Sequence, residues 1–233
     1  MHLFLIRHGQ SQNNTNANLS SRVSDPALTE IGQRQAETLA EYIAAHHHLF
    51  GFTHLYASPM LRALQTAAPI ARALNMPVQV WPDICEFGGV YLDAEGHPQG
   101  VAQPGLTRSA ILEHFPFAQL PESITDDGWW TMITSRESYS HALMRGVRVH
   151  EALCERIDRG ERIALVSHGM FIDALLKALL HKLPTRPEEL YFMHGNAAIT
   201  HVQLEANADA HYTEMMFHHI NSRLHLPPEL WTG

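Results

Sequence analysis

"LFLIRHGQSQNN" (Leu3–Asn14) decides how the rest of the chain is read. The apolar run Leu3–Ile6 breaks off in Arg7-His8-Gly9, and a polar, Asn-rich stretch follows. A short apolar run of this kind reads as a strand buried on both faces. Where it stops, a guanidinium and an imidazole stand side by side at the carboxyl edge of a sheet. That edge is where open α/β sheets bind ligands.

The same device recurs downstream. Ile163–Val166 is a second buried run, ending in Ser167-His168-Gly169. Thr53–Ala57 reads as a strand followed by a helix start, with Ser58 as cap and Pro59 at the first helical position. Val78–Trp81 is a third, shorter strand, with Glu86 beyond it. Helical spacing follows Thr29, a plausible N-cap, through Ala36, Leu39, Ala40 and Ile43. It recurs at Leu61, Leu64, Ala68 and Ala71, where Pro69 predicts a kink, and at Phe171, Ala174, Leu175, Ala178 and Leu179. A further helix is expected from near Glu137 towards Arg159, ending at Gly160. Ala198–Leu204 and Tyr212–Phe217 read as closing strands, with a hairpin across Asn207–Ala210.

Alternating strands and helices imply an α/β three-layer sandwich, a mostly parallel central sheet with helices on both faces. One domain over residues 1–233 is expected. Residues 87–136, broken by prolines, glycines and Trp129-Trp130, read as an inserted lid, with a plain surface insertion as the competing reading. The tryptophans could stack on a ring-bearing leaving group or simply pack.

The net charge of −8 argues against a nucleic-acid surface and an anionic membrane, so a site for an anion must be local. Cys85 and Cys154 are the only cysteines, too few for a disulfide framework and suited to a reducing compartment. The opening apolar run is too short for a signal peptide, and no segment approaches membrane-spanning length; a cytoplasmic location is expected. Eighteen histidines raise the question of a metal. His46, His47 and His48 are consecutive at an expected helix end, where imidazoles suit the carbonyl-rich terminus, and His218-His219 reads similarly. With no HExxH and no Cys/His cluster, no metal is expected.

Arg7, His8, Arg62, His168 and Glu86 thus converge on one rim if the sheet is as read. Arginine forks and imidazoles suit a phosphoryl group, and Gly9 and Gly169 let backbone approach closely. No P-loop is present. Each residue has a structural reading when taken singly: Arg7 as a surface ion pair, His8 as a satisfied core histidine. Their placement at separate strand ends favours the functional one.

These residues resemble the histidine phosphatase superfamily, in the branch that includes cofactor-dependent phosphoglycerate mutases. Arg7-His8-Gly9 matches its RHG motif, "DPALTEIGQRQA" (Asp25–Ala36) and "SPMLRALQTA" (Ser58–Ala67) match two further stretches, and "VSHG" (Val166–Gly169) matches the second histidine motif. "HLPPEL" (His225–Leu230) resembles the tails of some bacterial members. The resemblance implies a phosphoglycerate mutase-like fold and a phosphohistidine mechanism without cofactor. In it His8 is the nucleophile and Glu86 the general acid and base, which calls for a carboxyl raised in pKa by burial under the lid. Arg7, Arg62 and His168 hold the phosphoryl oxygens, and Ser11, Asn14 and Gly169 add phosphate contacts. Arg22 is a candidate substrate contact. Gln10 stands where many members have Glu, and "CEFGGVY" lacks the ending common around the phosphatase acid. A phosphomonoesterase acting on a small phosphorylated metabolite is the leading expectation. A mutase, a non-catalytic binder of phosphorylated ligands and a His-rich metal binder are the alternatives. Substrate identity and oligomeric state are left open, a homodimer among the options.

Overall fold

The structure is a computed structural model and describes all residues except 16–21, 132, 186 and 208–211, together with the side chains of 207 and 212. In chain order its main elements are β1 (His2–Arg7), α1 (Gln12–Thr15), α2 (Glu30–Ala45), α3 (His47–Phe50), β2 (His54–Ala57), α4 (Leu61–Leu74) and β3 (Val78–Val80). There follow β4 (Tyr91–Ala94), β5 (His97–Ala102), α5 (Arg108–His114), β6 (Ala118–Gln119), α6 (Tyr139–Cys154), β7 (Arg162–Ser167), α7 (Gly169–Leu179), β8 (Ile199–Asn207) and β9 (Tyr212–Ser222).

β1 sits inside a sheet of order β6-β3-β2-β7-β1-β8-β9. It runs parallel to β7, with Arg7 opposite Ser167, and antiparallel to β8. Successive side chains of a strand point to opposite faces, and here both faces are covered. Phe4, Ile6, Ala164 and Val166 enter a core with Leu39 and Ile43 of α2 and Leu64 and Ala67 of α4. Leu3, Leu5, Ile163 and Leu165 enter a second core with Val149 and Leu153 of α6 and Phe171 and Leu175 of α7. Two helical layers around a largely parallel sheet make the expected α/β sandwich. Among the described residues, no helix is long and apolar enough to cross a membrane.

Several local expectations are corrected. Ser58 is not the N-cap of α4: Met60 is, and Ser58 follows β2, its hydroxyl accepting from the Met60 N–H at 3.3 Å and meeting His168 Nε2 at 2.8 Å. α4 runs uninterrupted through the buried Pro69. α6 starts after Ser138, whose hydroxyl accepts from His141 N–H, and stops at Cys154; a short 3₁₀ turn then leads to Gly160 at φ 65°. Residues 87–136 are not wholly an excursion, because β6 returns to pair in parallel with β3 at the sheet edge. Among the described residues, only the β4–β5 hairpin forms a sheet of its own. His218 and His219 lie within strand β9, not at a helix end. The expected hairpin turn after Asn207 falls on residues outside those described.

Candidate active site

Parallel pairing of β1 with β7 brings Arg7-His8 and Ser167-His168 out of the same sheet end, side by side. The His8 and His168 ring centroids are 5.0 Å apart, and both rings are buried. His8 Nδ1 lies 2.6 Å from the carbonyl oxygen of Gly9, so Nδ1 carries the hydrogen and donates. The lone pair is therefore on Nε2, where the Arg62 Nε–H donates at 3.1 Å. Burial first, then the charges of Arg62 and Arg7, holds His8 well below the usual imidazole range, so the ring is neutral. His168 is depressed likewise by burial and by Arg62. Its Nε2 is 2.8 Å from Ser58 Oγ, and its Nδ1 is buried without a hydrogen-bond partner. The Nε of Arg7 is a second buried nitrogen without a partner, while its Nη1 donates to the His194 carbonyl.

Arg62 sits in the first turn of α4, and Asp25 fixes it. Asp25 accepts from the Leu61 N–H at 3.1 and 3.2 Å through its two oxygens, and lies 3.6 Å from Arg62 Nη1. One carboxylate thus caps the helix and orients the guanidinium. Thr66 links the same helix to the β1 loop, accepting from Gly9 N–H at 3.0 Å and donating to the Arg62 carbonyl. Gly9 lacks a side chain for a packing reason: a Cβ there would stand 2.5 Å from the Gly32 carbonyl of α2. That corrects the expectation that Gly9 serves backbone approach to the ligand. At Gly169 a Cβ would meet only ordinary contacts, 3.4 Å from the Tyr191 hydroxyl and 3.5 Å from Arg7 Nε.

The loop after β1 is held by its own polar groups. Ser11 donates through both its N–H and its hydroxyl to Asn14 Oδ1, at 2.9 and 3.0 Å. Asn196 Nδ2 also reaches Asn14 Oδ1, and it donates to the His8 carbonyl at 3.2 Å. With its oxygen fully occupied, Asn14 presents its amide N–H₂ outward; Ser11 is spent on positioning it. Gln10 Oε1 accepts from Thr29 Oγ at 2.8 Å, tying this loop to the start of α2.

Glu86 occupies the opposite wall. Its Oε1 accepts from the N–H groups of Phe87 and Phe171 at 2.8 and 3.2 Å, leaving Oε2 for the site. It is half-buried, not sealed as the expected lid required. Its backbone is fixed by Arg145, which pairs with buried Glu137 through two bonds of 2.7 and 2.6 Å and donates to the Asp83 and Cys85 carbonyls. Beside this wall opens a cleft of about 230 Å³, lined by Arg22, Arg62, Glu86, Phe87, Tyr91 and Arg136 among others. The Arg136 guanidinium lies over Phe87 and Tyr91, 4.9 and 5.0 Å from the ring centroids.

Residues 3–211 match the histidine phosphatase superfamily (branch 1). The chain belongs to that superfamily. It is 30% identical over 190 residues to the "probable phosphoglycerate mutase GpmB" of Yersinia pestis, covering 81% of this chain and 78% of the relative. A phosphoserine phosphatase from Entamoeba histolytica, solved with phosphoserine, superposes with a TM-score of 0.60 at 24% identity, covering 97% of this chain and 99% of that one. The ecdysone phosphate phosphatase of the silkworm Bombyx mori, solved with tungstate, gives 0.62 at 18%, covering 92% and 91%. At these identities the two structures speak for the fold.

In this member of the superfamily the geometry brings Arg7, His8, Arg62 and His168 together, with Glu86 and Arg22 on the adjoining cleft. Trp129 and Trp130 do not line that cleft. They meet edge to face at 5.5 Å, pack on the core, and crowd Gly105 and Gly89. Phe87 and Tyr91 line the cleft instead. Sequence reading missed Asp25, Thr66, Gln35 and Asn196 as positioning residues. The first three lie in the quoted motifs, so their spacing was a signal. Gln35 accepts from Gln10 N–H and donates to the Leu230 carbonyl, which also explains why the "HLPPEL" tail docks here. Asn196, His194 and Arg136 lie in loops with no pattern to mark them.

Proposed function

We propose that this chain is a phosphomonoesterase that works through a phosphohistidine on His8. The observation that carries the proposal is the fixed tautomer of His8: Nδ1 is committed to Gly9, and the Nε2 lone pair faces Arg62. Phosphorus would take the place of the Arg62 Nε–H at Nε2, and the guanidinium would turn that donor to a phosphoryl oxygen. Arg7 Nε and a His168 ring nitrogen, both buried and without partners, supply further donors. As the N–P bond forms and the ester P–O bond breaks, Glu86 Oε2 gives its proton to the departing oxygen. Glu86 then takes a proton from water as that water attacks phosphorus. The N–P bond breaks, phosphate leaves, and His8 returns as neutral imidazole.

The charge to be neutralised is met by Arg7 and Arg62, so we read the reaction as metal-independent and without cofactor. The small cleft and the two further guanidiniums, Arg22 and Arg136, favour a small phosphorylated metabolite carrying a second anionic group. The GpmB relative keeps a mutase reading in play, in which the phosphoryl returns to a bound sugar acid instead of water. Assay of phosphorylated metabolites with chelator present and no bisphosphate primer separates the two. The phosphatase reading predicts free phosphate from wild type and none from His8→Ala. Isomerisation that requires primer, with no phosphate released, contradicts it.

A further inference from the structure

At the other end of β1, three histidines distant in sequence meet. His2 Nδ1 lies 3.0 Å from His201 Nε2, and His201 stacks on His218 at 4.3 Å between centroids. One ring nitrogen from each of His2, His201 and His218 falls within a 4.8 Å group. We propose that these three imidazoles form a binding site for a divalent transition ion of the Zn²⁺ class, remote from the phosphoryl chemistry.

The backbone builds this convergence. Between β8 and β9 the register runs from His201 opposite His219 to Val202 opposite Phe217, so His218 is an inserted residue. Such a bulge re-aims side chains that strict alternation would send to opposite faces. Here it puts both His218 and His219 beside His201, at 4.3 and 5.7 Å. His201 is backed by Phe4, stacked at 4.1 Å, so its plane is fixed. His218 Nε2 lies 2.9 Å from Gln203 Oε1, and the Gln203 amide donates to Glu205. An outer partner of this kind sets the tautomer of a ligating imidazole.

The electrostatics suit a cation that binds neutral imidazole. Burial, and then the neighbouring His218, His2 and His219, pushes His201 down to about 3. The charges of Arg162 and of the N-terminal ammonium act on His2 and oppose a bound ion, while Glu205 favours it. Three imidazoles at about 2.0–2.1 Å from the ion would leave a fourth position open to water. His218 is exposed and can close the remaining distance by side-chain rotation. His2 is six residues from His8 along an extended strand, roughly 20 Å, so the ion takes no part in the proposed reaction.

The test uses untagged, chelator-stripped full-length protein, titrated calorimetrically with ZnCl₂ and scanned for Tm. One Zn²⁺ per chain is expected, with a rise in Tm of about 5 °C or more at a hundredfold excess over Kd. Both should be lost in His218→Gln, an exposed substitution, and in His201→Asn. They should persist in the paired His47→Gln, His48→Gln variant, which removes exposed histidines elsewhere. Co²⁺ should give the visible absorption of a tetrahedral site in wild type only. An unchanged Zn²⁺ heat in His218→Gln, loss in the His47/His48 variant, or no binding by wild type overturns the proposal. Phosphate release in chelator tests the phosphatase reading separately.

Discussion

The two walls of the active site are built differently. The wall made by the rim of the sheet carries Arg7, His8, Arg62 and His168 on the ends of β1 and β7 and the first turn of α4, all buried or nearly so. The wall made by residues 86–136 carries Glu86, Phe87, Tyr91 and Arg136 on loops and a small hairpin, half-buried or exposed. On the first wall buried partners such as Gly9, Asp25 and Thr66 hold His8, Arg62 and the loop around them, while Arg7 Nε and His168 Nδ1 are left without partners. On the second, one arginine rests on two aromatic rings. Rigid elements fix reacting atoms, and loops select what is brought to them. The comparison assigns the chemistry to the first wall and the choice of leaving group to the second.

The largest expected effect lies on the rim. His8→Ala should lower kcat by about 10⁴-fold or more, because it removes the proposed nucleophile. An unchanged circular-dichroism spectrum would show that the loss is chemical. Next is the support between the walls. Arg145→Met should cost about 3–5 kcal/mol in urea denaturation, since it strands the Glu137 carboxylate, whose side chain is 2% exposed. The double variant with Glu137→Leu should recover much of that. A small penalty for the single variant would mean that Glu86 is not held through this pair. Arg62→Lys keeps the charge and loses the fork, and should lower kcat by about 10²–10³-fold.

In the cleft, Arg136→Gln on the second wall and Arg22→Gln beside it should each raise KM about tenfold with kcat nearly unchanged, the signature of lost ground-state binding. A fall in kcat with unchanged KM would erase the division between the walls.

A further effect, set by both walls and the core behind them, is on pH. His8 and His168 are held well below 6.5 by burial, and burial pushes His194 and His225 down to about 4. Between about 6.5 and 4 the unfolded chain binds protons that the folded chain refuses, so stability is full above 6.5 and declines as pH falls through this window. A denaturation midpoint that stays flat from pH 6.5 to 4.5 would contradict neutral buried imidazoles.

The first wall was legible in the sequence and, Glu86 apart, the second was not, for a physical reason. A strand end that presents Arg-His after four apolar residues has few structural uses, and the spacing from Arg62 to Thr66 is one turn of α4. Thr29 caps α2, and Gln65 accepts from Leu28 N–H. Arg136 and Asn196 depend instead on where loops fold back, which no periodicity encodes. The convergence of His2, His201 and His218 was hidden because it rests on a bulge between two strands whose residues are read one strand at a time.

The most direct test of the account is to trap the phosphoenzyme. Wild type mixed with a ³²P-labelled phosphomonoester and quenched within the first turnover should carry label that is stable to alkali and released by acid. After proteolysis the label should map to the peptide containing His8, and His8→Ala should carry none. Phosphate release without any such label, or label that persists in His8→Ala, would contradict a covalent phosphoryl on His8.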